Sequence, residues 1–379
     1  MICPKLFLTE LIKNNVLFFT GVPDSLLEPF CSCVEDQLSE SQHIIGANEG
    51  SCASLAAGYY LSTRKIPLVY MQNSGLGNIV NPLTSLMDQE VYSIPMLLLI
   101  GLRGVPNHKD EPQHKKMGRI TSSLLDCLEI PYRVLSSDSN WASTLKEAFF
   151  CINQKQTSYA LLIKPETFYP YSKSSLKTHI SSLELSRQYA LEFCLKKIKR
   201  RSLIISTTGH LSRELYQYRL KEKEKEKNHS KDFKVVGAMG HANQIALGIA
   251  NHVNKKVYCL DGDGASLMHL GNLAICAQKG KKNFKHILFN NGAHGSVGGQ
   301  KTVGHEINFV SLSKAFGYKS FQKVKTKKEL ETAWVNFEKE PGPSFLEILI
   351  NTNVEKNLPR PKETPLKSKA SFMDFINEY

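Results

Sequence analysis

The sequence has no apolar run long enough to cross a bilayer: its longest, such as 94–100, fall far short of the roughly 18 residues required. Its nine cysteines include no Cys-x-x-Cys pair and no Cys/His spacing of zinc type, and their odd number argues against a closed disulfide framework, so reduced thiols are expected. The first residues, MICPKLFL, lack a charged segment followed by an apolar stretch and a small-residue cleavage site, and a soluble cytoplasmic protein is expected. Acidic residues are in deficit: 35 Asp and Glu against 48 Lys and Arg leave a formal charge of +13. Such a surplus suggests a polyanionic partner, yet no nucleic-acid signature accompanies it. Much of the basic charge lies in 196–201, where it can end a helix favourably, in the C-terminal tail and in 219–231 (RLKEKEKEKNHSK). In that last stretch glutamates offset lysines, and a solvated helix extension or loop is expected. Neither a nucleic-acid nor a membrane partner is expected.

What is present is enough apolar sequence, 41% of 379 residues, for two cores. Short β-branched or Leu-rich runs alternate with amphipathic segments of helix length, the pattern of an α/β fold with doubly wound parallel sheets. Strands are expected at 67–71, 95–100, 160–163, 203–206, 257–260, 286–289 and 345–350. These signals stop after 168, which divides the chain into a first domain (1–170), a linker (171–188), a second domain (189–355) and a tail (356–379), irregular until 372. Each half has a helix crowded with small residues after a glycine-bearing turn, 50–58 and 240–250. Asp24 is placed to cap the helix that follows it.

The strongest chemical signal runs from Leu260 to Asn291, LDGDGASLMHLGNLAICAQKGKKNFKHILFNN. A strand ends in Gly262-Asp263-Gly264, a helix with Leu267, Leu270 and Leu273 on its apolar side follows, and a second strand ends in Asn290-Asn291 after 25 intervening positions. A β–α–β unit brings both strand ends to one edge of the sheet, where open α/β sheets bind ligands. A bound diphosphate needs a hard cation, and Mg²⁺ prefers carboxylate, amide and carbonyl oxygens. Asp263, Asn291 and the Ala293 carbonyl offer that set, and the flanking glycines let backbone amides approach phosphate oxygens.

This unit resembles the motif by which thiamine-diphosphate enzymes hold their cofactor and its metal. The resemblance implies metal ligation by Asp263, Asn291 and the Ala293 carbonyl, with Asn290 and Asp261 structural, Asp261 being a lesser candidate for the metal. It implies further cofactor contacts at Gly262, Gly264 and Ala265, and at Gly237, Met239, Gly240 and His241, where Met239 matches the bulky residue wedged beneath the cofactor between two glycines. A flexible thioether fills such an angled gap, although Met239 in isolation reads as a core residue. In the first half Glu49 matches the glutamate that activates the cofactor's aminopyrimidine, with Asn73 a further contact; without the second-half motif Glu49 would read as a first-turn helix residue. The two halves thus correspond to a pyrimidine-binding and a diphosphate-binding domain, with no middle domain. The cofactors implied are thiamine diphosphate and Mg²⁺.

The segments FTGVPDSLL, VYMQNSGLGN, NPLTSL, DEPQH, MGRIT and NGAHGSVGGQ narrow the resemblance, over roughly 5–350, to the phosphonopyruvate decarboxylase family, with the sulfopyruvate decarboxylases nearest to it. The implied reaction is loss of CO₂ from 3-phosphonopyruvate to give phosphonoacetaldehyde in phosphonate biosynthesis, sulfopyruvate or another 2-oxo acid being the alternative substrate. Asp24, Ser25, Arg103, Lys109 and Lys115 are the expected substrate contacts, with Arg119 nearby, and His114 and His294, then His305, the candidates for proton transfer. Ser74 and Asn78 suit backbone capping as well as ligand contact. A homo-oligomer with sites shared between copies is implied. Gly295 departs from the family, which carries an acid there, and motivates the contrary reading of a cofactor-binding protein without turnover.

Overall fold

The structure, a computed structural model, describes residues 1–106, 108–173, 182–222, 231–355 and 357–377. The chain divides into two compact units, Met1–Lys177 and Thr178–Tyr379. In the first, β1 (Phe19–Gly21), β2 (His43–Ile45), β3 (Leu68–Gln72), β4 (Leu97–Gly101), β5 (Tyr132–Leu135) and β6 (Tyr159–Ile163) form a parallel sheet of order β2-β1-β3-β4-β6-β5. In the second, β7 (Leu203–Ser206), β8 (Asp232–Lys234), β9 (Val257–Gly262), β10 (Phe284–Asn290), β11 (Ser320–Val324) and β12 (Ser344–Leu349) form a parallel sheet of order β11-β12-β10-β9-β7-β8. Counted from the start of each unit the two orders are the same. The chain therefore reverses its winding between β1 and β3 and again between β7 and β9, opening a crevice at each carboxyl edge.

Interior strands of such sheets are covered on both faces, so they read as apolar runs: β4 and β6 are buried at all positions. Burial of each Leu or Ile there contributes roughly 1.5–3 kcal/mol. All seven strands expected from sequence are interior ones. The edge strands β2, β5, β8 and β11 escaped that reading because an open flank admits polar or exposed residues, as at Arg133 and Val134 of β5. The fifth, β1, is buried but only three residues long.

Several local expectations are corrected. Asp24 does not cap a helix: the next one, Glu28–Gln37, has Leu27 at its N-cap without a side-chain bond, and Asp24 accepts instead from the Leu26 N–H at 2.9 Å. The helix after Asp263 is broken into Asp263–Met268 and Gly271–Lys279, His269 leaving helical geometry between them. The small-residue helix expected at 240–250 starts at Ala242, because Gly240 turns at φ +86°. The helix Arg187–Lys197, capped by Ser186, starts inside the expected linker and ends with Lys196 and Lys197 in its last turn; residues 174–181 lie outside the described residues.

The charged stretch at 219–231 is not solvated at its ends. Arg219, 3% exposed, binds Asp232 through Nε (2.8 Å) and Nη2 (3.3 Å) and Glu222 through Nη1 (2.7 Å), and Lys231 is buried; 223–230 lie outside the described residues. The tail becomes helical at Pro365–Asn377, earlier than expected, because Phe372 packs on Phe233 beside the edge strand β8. All nine cysteines are free thiols, and no helix among the described residues is long and apolar enough to cross a membrane.

Candidate cofactor and catalytic site

In the second unit β9 delivers Asp263 and β10 delivers Asn290 and Asn291 to adjoining points on the carboxyl edge, since β9 and β10 pair in register from Val257 opposite Phe284 to Gly262 opposite Phe289. Asp263 is 1% exposed, and its carboxylate accepts from the Asn291 N–H at 3.3 Å and from the Thr302 hydroxyl. Burial pushes its carboxyl up to about 6 against those hydrogen bonds, and among the described residues no ion pair offsets its charge. Asn290 is committed internally, donating to the Gly304 carbonyl and to Glu347, both at 2.8 Å, and accepting from the Gly292 N–H at 3.1 Å. Its partner Asn291 keeps its amide oxygen close to the Ala293 N–H, at 3.3 Å.

The loop from 292 to 308 folds over this edge, and a Cβ at Gly304 would stand 2.6 Å from Asp263 Oδ2 and 2.8 Å from Asn290 Oδ1. Such closeness leaves room only for hydrogen there. The Asp263 carboxylate, which lacks an ion-pair partner among the described residues, the Asn291 amide oxygen and the backbone carbonyls of the following loop offer oxygen donors only. That set fits a hard divalent cation such as Mg²⁺, whose charge would reverse the upward shift at Asp263.

Beneath the edge lies a supporting network. Asp261, fully buried, accepts from the Gly262 N–H (3.0 Å), the Ser266 hydroxyl (3.0 Å) and the Asn243 amide (3.2 Å), while His286 Nε2 lies 3.4 Å away. Cys259 completes a buried cluster with Asp261 and His286. The expected structural role of Asp261 agrees with these partners: it braces both ends of the turn that presents Asp263.

The Met239 turn packs on the same helix start. Ala238 and Gly240 both take positive φ, +50° and +86°, and a Cβ on Gly240 would meet His269 at 2.7 Å and the Ala265 carbonyl at 3.0 Å. His241 Nδ1 sits 3.1 Å from the Met239 carbonyl and 3.2 Å from that of Ala238, acceptors that require the proton on Nδ1. The His241 ring meets His269 edge-on at 4.5 Å, and Met239 in this turn is half-buried. Thr208, after β7, ties itself to the same segment through the Val236 carbonyl at 3.1 Å.

His294 covers Gly264, whose Cβ would lie 3.1 Å from its ring, and burial lowers its pKa to about 4, so the ring is neutral near pH 7. His305 is exposed and meets the Asn290 carbonyl at 3.3 Å. Thr302 and His210 are the residues that sequence reasoning missed. The Nδ1 of His210 is buried without a hydrogen bond, and burial, then Arg187 and Arg213, lower its pKa to about 4. A Cβ at Gly295 would lie 3.5 Å from the Asn291 amide and 3.8 Å from His210 Nδ1, so the departure at Gly295 widens the space between those two groups. A threonine in a loop and a histidine at the start of the helix His210–Glu222 carry no spacing signal that would have found them.

In the first unit, Asn48 caps the helix Glu49–Thr63 by accepting from the Gly50 N–H at 2.8 Å, which fixes Glu49 in the first turn. Glu49 is 5% exposed and accepts from the Asn78 amide at 2.7 Å. Asp24 is fully buried and holds Gln72 at 2.6 Å, which in turn accepts from Ser74 at 2.7 Å. Asn73 and Arg103 have partners other than those expected. The Asn73 amide donates to the Arg103 carbonyl (2.9 Å) and Thr121 (3.0 Å), and Arg103 pairs with Asp110. Lys109, Lys115 and Arg119 are exposed, whereas His114 is half-buried, its pKa lowered by burial and then by Arg103.

Comparison with known proteins agrees with this geometry. Residues 4–122 match the family model described as the thiamine pyrophosphate enzyme N-terminal TPP binding domain, and 207–348 match the C-terminal TPP binding domain. The chain is 32% identical over 376 residues to a phosphonopyruvate decarboxylase of Streptomyces viridochromogenes, covering 96% of this chain and 92% of that one. It is 31% identical over 395 residues to the Streptomyces hygroscopicus phosphonopyruvate decarboxylase, covering 100% and 95%. A sulfopyruvate decarboxylase of Methanosarcina acetivorans is 26% identical over 349 residues, covering 86% and 87%.

Proposed function

The chain belongs to the thiamine pyrophosphate enzyme family, and from that premise we propose that it decarboxylates 3-phosphonopyruvate to phosphonoacetaldehyde and CO₂ as a step of phosphonate biosynthesis. The observation that carries the cofactor assignment is the buried carboxylate of Asp263, which accepts from Asn291 and has no side-chain ion-pair partner among the described residues. The substrate follows from the two phosphonopyruvate decarboxylases that resemble the chain over nearly its whole length.

Asp263, Asn291 and the Ala293 carbonyl would hold Mg²⁺ at the cofactor diphosphate, and Met239 would pack against the cofactor. When bound, thiamine diphosphate supplies the electron sink that receives the electrons released with CO₂. Glu49, buried at a helix start and oriented by Asn78, would be the carboxyl partner of the cofactor's aminopyrimidine. His294 and His114, both biased toward the neutral imidazole, are candidates to relay a proton to the product carbon, each ring taking one up from water at one nitrogen as it gives one up at the other. The exposed Lys109 and Lys115 attract the doubly anionic substrate.

A second reading, sulfopyruvate as substrate, is supported by the resemblance to a sulfopyruvate decarboxylase over 86% of the chain. Mg²⁺- and thiamine-diphosphate-dependent CO₂ release, compared for phosphonopyruvate, sulfopyruvate and pyruvate, tests both. Preference for sulfopyruvate replaces the first reading with the second. The chain acts as a cytoplasmic homo-oligomer, and light scattering that finds an active monomer removes the oligomer from this reading.

A further inference from the structure

We infer that Arg103 is a positioning residue that staples together three loops on the ligand edge of the first sheet, and that it does not itself bind the substrate's anionic groups. Its guanidinium is already committed. Nε and Nη2 grip Asp110 at 3.0 and 2.5 Å, and Nη1 donates to Ser25 Oγ at 2.7 Å. Ser25 belongs to the loop after β1. The main chain of Arg103 is held from the loop after β3, where Asn73 donates to its carbonyl at 2.9 Å and accepts from its N–H at 3.3 Å. Because β1, β3 and β4 are neighbours in the sheet, one side chain and its backbone join the three loops at the edge of the crevice.

Asp110 completes the staple. Besides the guanidinium it accepts from the Gly104 and Glu111 N–H groups, both at 2.8 Å, so its carboxylate is saturated with donors. The segment folds back tightly on the helix Lys115–Cys127: a Cβ at Gly118 would lie 1.9 Å from the Gly104 carbonyl oxygen, and one at Gly104, φ +73°, would lie 2.0 Å from that of His114. The direction in which His114, Lys109 and Lys115 are presented is therefore set by this fold-back. Swinging Arg103 to an incoming phosphonate would strand Asp110, a carboxylate whose side chain is only 13% exposed. Lysine is no substitute, since it lacks the planar fork that serves Asp110 and Ser25 at once.

The kinetic arm of the test rests on the decarboxylase reading; the exchange arm does not. Arg103→Gln, Arg103→Lys and Asp110→Asn are made in the full chain, with Ser25→Ala as a milder variant that removes one arm only. Hydrogen exchange of the backbone from 102 to 106 and 108 to 114 is followed in the protein with Mg²⁺ and thiamine diphosphate. A staple predicts that Arg103→Gln and Asp110→Asn each speed exchange by about tenfold or more, Ser25→Ala less, and that lysine does not rescue. With phosphonopyruvate and pyruvate, kcat falls by the same factor in both variants and for both acids, while the KM ratio of the two acids stays within about twofold of wild type. Unchanged exchange overturns the inference. So does a selective rise of about tenfold or more in the phosphonopyruvate KM for Arg103→Gln with Asp110→Asn silent, the signature of a direct anion contact. If wild type releases CO₂ from neither acid, the phosphonopyruvate reading falls and exchange alone decides the staple.

Discussion

The two units share one strand order and one kind of crevice, but their edges handle charge in opposite ways. At the edge of the first sheet Arg103 and Asp110 neutralise each other and lock the loops, and Glu49 is buried with an amide partner. At the edge of the second, Asp263 is buried among hydroxyl and N–H donors with its negative charge unmatched. A parallel sheet supplies the place for a ligand in both; what the place can hold depends on whether its charge is already compensated. The self-compensated edge suits positioning and proton handling, and the uncompensated one suits a cation carrying a diphosphate.

The sharpest way to break this comparison is at Glu49. Glu49→Gln should lower CO₂ release about 1,000-fold, within the range for loss of a general acid–base group, while calorimetric binding of thiamine diphosphate is retained. Loss of binding in proportion to activity would mean that the first edge also anchors the cofactor.

Next in size is the cost of the unmatched charge. With its pKa raised from 3.8 to about 6, Asp263 binds more protons in the folded than in the unfolded state between those values. Stability of metal-free protein therefore falls as pH rises through that window, by about 3 kcal/mol in all. Chemical denaturation in chelator across pH 4–7 measures it, and Mg²⁺ with thiamine diphosphate should restore the loss at pH 7. Asp263→Asn should be more stable than wild type in chelator and bind Mg²⁺ and cofactor at least about 100-fold more weakly. A variant destabilised in chelator would show that the site is not short of positive charge.

Packing gives a smaller effect in the first unit. Gly118→Ala puts a Cβ 1.9 Å from the Gly104 carbonyl oxygen, and a loss of about 2 kcal/mol is expected by thermal denaturation. The smallest effects belong to the exposed cations. Lys109→Ala and Lys115→Ala should each raise the KM for phosphonopyruvate up to about fivefold at low salt and leave pyruvate unaffected, since exposed charges contribute roughly 1 kcal/mol or less.

The strands that sequence revealed and those it concealed differ in burial and in length, β1 and β8 being well buried but only three residues long. β3, β4, β6, β7, β9, β10 and β12 lie inside the sheets and are buried along their length, with only the last residue of β3, β9 and β12 half-buried. The edges carry no such mark. At the candidate site the spacing of Asp263 and Asn291 was legible because both sit on strand ends, where sequence distance translates directly into position. Thr302 reaches Asp263 by a loop return from 39 residues away, and no local pattern foretells that. Arg103 was expected as a substrate contact because in the chain it is a cation after a strand; its pairing with Asp110, seven residues on, is a product of the fold-back that the sequence does not show.

By itself the sequence determined which oxygens and which carboxylate could meet a metal-bound diphosphate, and that two parallel α/β sheets would present them. Those features depend on residue type and regular spacing, which a strand or helix repeats faithfully. Only the tertiary structure decided which charges are spent within the protein and which remain for a ligand. Compensation depends on distances of about 3 Å between side chains far apart in the chain, and those distances exist only after the loops have closed.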